Sequence, residues 1–457
     1  MFLAFFRRAV SSARVTSGLG VLLAVCLTGV APAPALARVT TQTLDNGLTV
    51  VLIEEHKAPV ISFQVWYRVG SIDEVSNYTG LSHLLEHLMF KSTGKLDTGE
   101  YARTVAARGG NENAMTSNDY TAYYMTWAPQ YLPLSAQLEA DRMVNLRIQD
   151  EEFSTERDVV LEERRMRIDD SPIRATVEQM YSTAFMAHPY GRPIIGWVSD
   201  LQHLKAEDAR AHYRRFYAPN NAVVVVAGDF QPDQAMAEIR RNFGSLPRQP
   251  GLESRRYRTE EPPQLGERRL TLHREAQLPF VFLGYHAPNW QSPDAYALVV
   301  LSQLLFEGRR SRMYQRLVFQ DRIAVDEGGA YDPLSADPEL FYFYAMVAPG
   351  ETPEKVEAAI YEEVARIQQT PPDAREMERA RNQVEAGFIL GQDSVFYQAM
   401  QYATAEVVGA GTDYVTRFTK RVGKVTAADV ARVARTYLQP QNRTVATLIP
   451  LAAETPK

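Results

Sequence analysis

His83-Leu84-Leu85-Glu86-His87 holds the side chains best suited to chemistry in this 457-residue chain. On a helix, His83 and His87 stand at i and i+4 and face the same way. Two imidazoles one turn apart can bind one Zn2+. Glu86, at i+3 from His83, lies on the same side. It can reach a water on the metal and take its proton, the general-base role in metal-assisted hydrolysis. Leu81, Leu84, Leu85 and Leu88 surround the set, so the helix is expected to be largely buried. Three ionisable groups entering a core are costly unless something pairs with them. A purely structural histidine pair is the competing explanation, and the interposed Glu86 argues against it.

A catalytic zinc site uses three protein ligands and a water. The best source of a third ligand is the segment Ser154 to Arg164. Ser154 is expected to cap a helix with acids early in it. Glu156, Val159, Val160 and Glu163 then fall at i, i+3, i+4 and i+7 on one face. One carboxylate would meet the metal, and the other would orient a ligand or water from behind. Glu162 points about 100° away, toward solvent. Taken alone, the segment reads better as a solvated acidic helix. His56, His203, His212, His273 and His286 have no partner at metal-ligand spacing and are expected to be structural or exposed.

These residues need elements to position them. Leu48–Ile53 and Ile61–Tyr67 read as strands, followed by a helical run from Gly80. The second half begins alike: Arg269–Leu272 and Phe280–Tyr285 read as strands, followed by a helix through Tyr296–Phe306. The halves also end alike, at Ala222–Gly228 and Arg443–Ile449. The expected fold is α+β, with two homologous domains, each a mostly antiparallel sheet covered by helices. The domains are expected at residues 38–250 and 266–457, joined by a polar, proline-rich linker at 251–265.

Forty-nine Lys and Arg stand against 55 Asp and Glu, for a net charge of −6. That balance argues against nucleic acid as a partner, which demands clustered positive charge. Residues 1–37 read as a cleaved secretory signal. Arg7, Arg8 and Arg14 lead, Gly18–Val30 is apolar, and Ala35-Leu36-Ala37 offers a cleavage site. A membrane anchor is the alternative, but the apolar core is near the short end of the roughly 20 residues a span needs. Cleavage removes three positive charges and no negative one, taking the net charge to −9. It also removes Cys26, the one cysteine. An exported, acidic, thiol-free chain suits a bacterial periplasm, with no membrane contact after cleavage.

The set of motifs resembles the pitrilysin/insulinase family of zinc metallopeptidases, in its mitochondrial-processing-peptidase-like branch. His83-Leu84-Leu85-Glu86-His87 is similar to the inverted zinc motif H-x-x-E-H of the inverzincins. The 76-residue spacing from His87 to Glu163 matches the family's third ligand, and Glu156 matches its additional glutamate near the metal. Further matches are Gly80-Leu81-Ser82, Asn113 to Ser117, His188 to Pro193, Phe216 to Ala222, and Gly228-Asp229-Phe230. The resemblance implies one Zn2+ per chain on His83, His87 and Glu163, with Glu86 as base and Glu156 in support. It implies paired homologous domains, two such pairs enclosing a chamber. It also implies peptide substrates that add a strand beside Asn113, Ala114, Met115 and Thr116, the edge being followed by Tyr120–Trp127.

One departure stands out. The family's chamber also uses an Arg and a Tyr, seven residues apart, to hold substrate and stabilise the oxyanion. Val318 and Val325 occupy those positions in this sequence. The expectation is therefore a homologous partner subunit that supplies the Arg/Tyr pair. A self-sufficient homodimer and a non-catalytic structural homologue are the alternatives.

Overall fold

The structure, a computed structural model, describes residues 38–252 and 259–451. The expected signal segment, with Cys26, and residues 253–258 of the expected linker lie outside the described residues.

The fold is α+β and built around two sheets. The first contains β1 (Arg38–Thr43), β2 (Thr49–Glu54), β3 (Ile61–Tyr67), β4 (Asn111–Thr116), β5 (Thr121–Trp127) and β6 (Ala222–Gly228). Their order is β1-β2-β6-β3-β5-β4. The second contains β7 (Arg268–Glu275), β8 (Phe280–Ala287), β9 (Ala324–Ala330), β10 (Glu339–Val347) and β11 (Arg443–Leu451), in the order β7-β11-β8-β10-β9. Removing β1 makes the two orders superimpose element for element. Each sheet is antiparallel except at one pair, β2 with β6 and β7 with β11, where the last strand of each half lies parallel to the first of the shared pattern. The central strands β3 and β6 are buried along their whole length. That burial on both faces explains the unbroken run Val223-Val224-Val225-Val226.

The two halves interlock. The Pro172–Ala184 helix comes from the first half, yet Met180 and Ala184 pack with Phe280, Phe282, Leu340 and Ala446 of the second sheet. The Val395–Val407 helix comes from the second half, yet Ala399, Tyr402 and Ala403 pack against Val51, Trp66, Val223 and Val225 of the first. Each sheet therefore has one face covered by helices of its own half and the other covered by a helix lent from its counterpart.

The Asp150–Arg164 helix differs from expectation at its start. Gln149 is the cap, and Ser154 lies inside the helix with its hydroxyl donating to the Asp150 carbonyl at 2.9 Å. Asp150, Glu151 and Glu152 form an acidic first turn that complements the helix dipole. Buried Phe153 extends the packed face in the same direction. The face itself also differs: Phe153, Glu156, Val160 and Arg164 are buried, whereas Val159 is 45% exposed. The stripe centres on Val160, and Val159 is one residue, about 100°, out of phase with it.

Candidate metal centre

The Leu81–Leu88 helix carries the histidine motif. Leu81, Leu84, Leu85 and Leu88 bury its apolar side. His83 is buried as well, and Glu86 and His87 lie at the margin. The Asp150–Arg164 helix packs alongside and presents Glu163.

Donor atoms of His83, His87 and Glu163 all lie within 4.8 Å of one another. His87 Nε2 is 3.3 Å from Glu163 Oε2, and His83 Nε2 is 3.8 Å from the same oxygen. Ligand atoms about 2.0–2.2 Å from a tetrahedral zinc stand roughly 3.4 Å apart, so this spacing brackets what the ion needs. Two imidazoles and one carboxylate are also a donor set that zinc takes in catalytic sites, with a fourth position left for water. The residues fit the group.

The surroundings orient these donors. Glu156 Oε2 lies 3.4 Å from His87 Nδ1 and can accept an N–H from it, so Nε2 is the nitrogen His87 would offer to a metal. Lys91 Nζ sits 2.5 Å from Glu156 Oε1, and Arg167 Nη1 sits 2.5 Å from Glu163 Oε1. Glu163 thus turns one oxygen to the histidines and has the other held by a guanidinium. Lys91 and Arg167 were not singled out in the sequence. Their signal was present, since each stands four residues after a site residue, His87 or Glu163.

Burial and the neighbouring His87 push the His83 pKa down and favour its neutral form. For His87, burial acts against charge, but hydrogen bonds with Glu156 and Glu163 outweigh it and raise the pKa. The hydrogen bond from His87 holds both Glu156 and Glu163 below the usual carboxylate range. Burial raises the Glu86 pKa, opposed by a hydrogen bond from the Thr116 hydroxyl to Glu86 Oε2 at 2.5 Å. Glu162 is exposed and pairs with Arg165.

Thr116 ends β4, the edge strand of the first sheet. Asn113, Met115 and Thr116 lie on this strand beside the histidine helix, and Ala114 packs partly against the core. The Ala114 N–H is met by Asn113 Oδ1 at 2.8 Å. Three other histidines lie elsewhere: His56 joins Asp229 and Glu54, His203 meets the Ser199 carbonyl, and His286 meets the Ala184 carbonyl. His212 contacts the Ser82 hydroxyl at 3.1 Å, directly beneath the motif.

Val318 packs partly buried in the second core, and Val325 is 49% exposed on β9. Two nearby polar groups are already engaged. Arg316 pairs with Asp321 and Glu362, and the Tyr331 hydroxyl donates to the Pro288 carbonyl.

Comparison with known proteins agrees with this architecture. Residues 49–197 match the family described as Insulinase (Peptidase family M16), and residues 203–384 match the Peptidase M16 inactive domain. The zinc protease PqqE of Helicobacter pylori is 32% identical over 421 residues, covering 89% of this chain and 92% of that protein. An uncharacterized zinc protease of Mycobacterium tuberculosis is 34% identical, covering 89% and 92%. A probable mitochondrial-processing peptidase subunit beta of Arabidopsis thaliana is 25% identical, covering 91% and 78%. The crystal structure of a protease from Helicobacter pylori superimposes with a TM-score of 0.86 at 32% identity, covering 91% of this chain and all of that one. By sequence and by fold, this chain belongs to the insulinase (M16) family of zinc peptidases.

Proposed function

We propose that this chain is a zinc-dependent endopeptidase subunit that hydrolyses peptides or unfolded segments. The observation carrying the reading is the convergence of His83, His87 and Glu163 donor atoms beside Glu86, which is tied in turn to the free sheet edge through Thr116.

His83, His87 and Glu163 would hold a zinc ion, which when bound would supply a Lewis acid for the scissile carbonyl and for a water. Glu86 accepts the proton on its carboxylate and returns it to the leaving amine. Its raised pKa suits a group that must do both. Glu156 holds the His87 ring in the tautomer that leaves Nε2 free to bind. An extended substrate adds to β4 along Asn113, Ala114, Met115 and Thr116, through main-chain hydrogen bonds that read extension more than side-chain identity. Asn113 Oδ1 accepts from the Ala114 N–H on this strand.

The valines at 318 and 325 offer no side-chain hydrogen-bond donor, which supports a homologous partner subunit bearing the Arg/Tyr pair. The relative named as a subunit, mitochondrial-processing peptidase beta, supports the same reading. Residues 38–250 form the zinc-bearing domain, and 266–457 form its homologue. The leading segment directs export to the periplasm, and no helix among the described residues is long and apolar enough to cross a membrane.

The test assays the purified chain, alone and with candidate homologous partners, on a quenched-fluorescent unstructured peptide while zinc is quantified. Glu86→Gln keeps the metal and loses turnover, and His83→Ala loses both. Full zinc occupancy in His83→Ala would sink the ligand assignment. Full activity of the isolated chain would remove the need for a partner.

A further inference from the structure

The two histidines and Glu163 come from separate helices, and the ion tolerates only a few tenths of an ångström in their spacing. Side-chain packing between two helices does not by itself set a distance that closely. The segment Ile195-Gly196-Trp197 supplies a polar strut. It touches the start of the histidine helix on one side and the residue after Glu163 on the other.

The first contact is backbone against backbone. Gly80, at the N-terminus of the histidine helix, has φ +86°, and Gly196 has φ +89°. A Cβ on Gly80 would stand 2.5 Å from the Ile195 carbonyl oxygen, and one on Gly196 would stand 2.4 Å from the Thr79 carbonyl oxygen. The crossing therefore excludes a side chain on either strand. Buried Thr79 fastens it: its hydroxyl accepts from the Trp197 N–H at 2.9 Å and donates to Asp200 Oδ2 at 2.6 Å. Glu74 secures the same helix start from within, accepting from the Gly80 and Ser82 N–H groups at 2.9 and 2.7 Å.

The second contact is Arg164, the residue after Glu163, which is 4% exposed. Its Nη1 donates to the Gly196 carbonyl at 2.8 Å, and Nη1 and Nη2 grip Glu178 at 2.9 Å each. The guanidinium also lies 5.6 Å from the Trp197 ring. A planar fork that meets a carboxylate with both arms while one arm also reaches a carbonyl has its orientation defined in a way an ammonium does not.

We propose that Arg164 is a positioning residue for the metal centre. Through the Gly196 carbonyl and the Gly80–Gly196 crossing, it sets the distance between Glu163 and the His83/His87 pair. The inference rests on the zinc reading above.

The test measures zinc affinity by competition with a chromophoric chelator, the visible spectrum of the cobalt-substituted protein, and the melting of the metal-free protein. The variants are Arg164→Lys and the milder Glu178→Gln, which keeps the Gly196 bond while loosening the fork. Arg164→Lys is expected to raise the zinc Kd by about 10–100-fold, the range typical of outer contacts to a metal site, and to change the cobalt spectrum. Glu178→Gln is expected to move both in the same direction by less. Folded variants with a Kd within about twofold of the parent and an unaltered cobalt spectrum would overturn the proposal, even if their melting temperature falls. If Arg164→Lys does not fold, Glu178→Gln decides on the same criteria. Failure of the parent protein itself to bind zinc would sink the metal reading instead, so the two failures are distinguishable.

Discussion

The Thr116 hydroxyl donates to Glu86 Oε2 at 2.5 Å, joining the free edge of the first sheet to the carboxylate proposed to move the proton. The strand that would hold a peptide and the group that would act on it are therefore mechanically one unit. The bond also tunes Glu86, because it favours the ionised form against the burial that disfavours it.

Thr116→Val should release that tuning. Losing the donor raises the Glu86 pKa further, and the base works only when deprotonated. The acidic limb of the kcat/KM profile is expected to move to higher pH by about one to two units, since a hydrogen bond to a charged group contributes roughly 1.5–3 kcal/mol. Zinc content should be unchanged. A profile that superimposes on the parent's would show that the bond does not influence the base.

The proposed role of Glu156 is exerted through His87, whose Nδ1 it faces at 3.4 Å. Removing its carboxylate in Glu156→Ala frees the ring to rotate and to adopt the other tautomer. Zinc Kd is expected to rise by about 10–100-fold. Lys91→Met, which removes only the cation behind Glu156, should give a smaller rise. Chelator competition on the purified variants measures both, and an unchanged Kd in Glu156→Ala would contradict the role.

The exchange of helices between halves predicts a single cooperative unit. Met180 is fully buried among residues of the second sheet although it belongs to the first half. Met180→Ala is expected to cost about 2–5 kcal/mol in denaturant unfolding, the usual range for truncating a buried Met. Unfolding should stay a single transition for both halves. Two separate transitions, with only one moved by the substitution, would disprove the interlock.

Glu261 fastens the same junction. Its carboxylate accepts from the N–H groups of Met186, Ala187 and His188 at 2.9, 2.9 and 3.0 Å. Burial alone would raise its pKa, but the three N–H groups outweigh it and hold the carboxyl below its usual value. A depressed folded-state pKa contributes stability above the unfolded value, near 4.3, and loses it as pH falls through the folded value. Glu261→Gln is expected to be about 2 kcal/mol less stable than the parent at pH 7. The gap should narrow as pH drops below about 4. Denaturation curves across that range check the sign, and a gap that widens in acid would refute it.

Much of the fold could be read along the chain because its signals are local. The strands at Leu48–Ile53 and Phe280–Tyr285 announce themselves by short β-branched and aromatic runs. The repeated order of elements in the two halves predicts two like sheets. The cap of the Asp150–Arg164 helix is expected at Ser154 because Ser is a good capping residue by type, whereas the acidic turn and buried Phe153 before it draw the cap five residues earlier, to Gln149. Val159 was assigned to the packed face because periodicity tolerates one residue of phase error, and only the neighbouring elements show where the stripe centres.

From the order of its residues alone, this chain determines that His83, Glu86 and His87 share one side of a buried helix, since 3.6 residues per turn leaves no other arrangement. It also offers Glu156 and Glu163 as distant candidates to join them, between which the family resemblance points to Glu163. Tertiary structure alone decided that Glu163 reaches the histidines, that Arg167 and Lys91 stand behind the carboxylates, and that a helix from each half covers the other's sheet. Those relationships join residues tens to hundreds of positions apart, and no local periodicity encodes them. They follow from how all the apolar faces are buried at once.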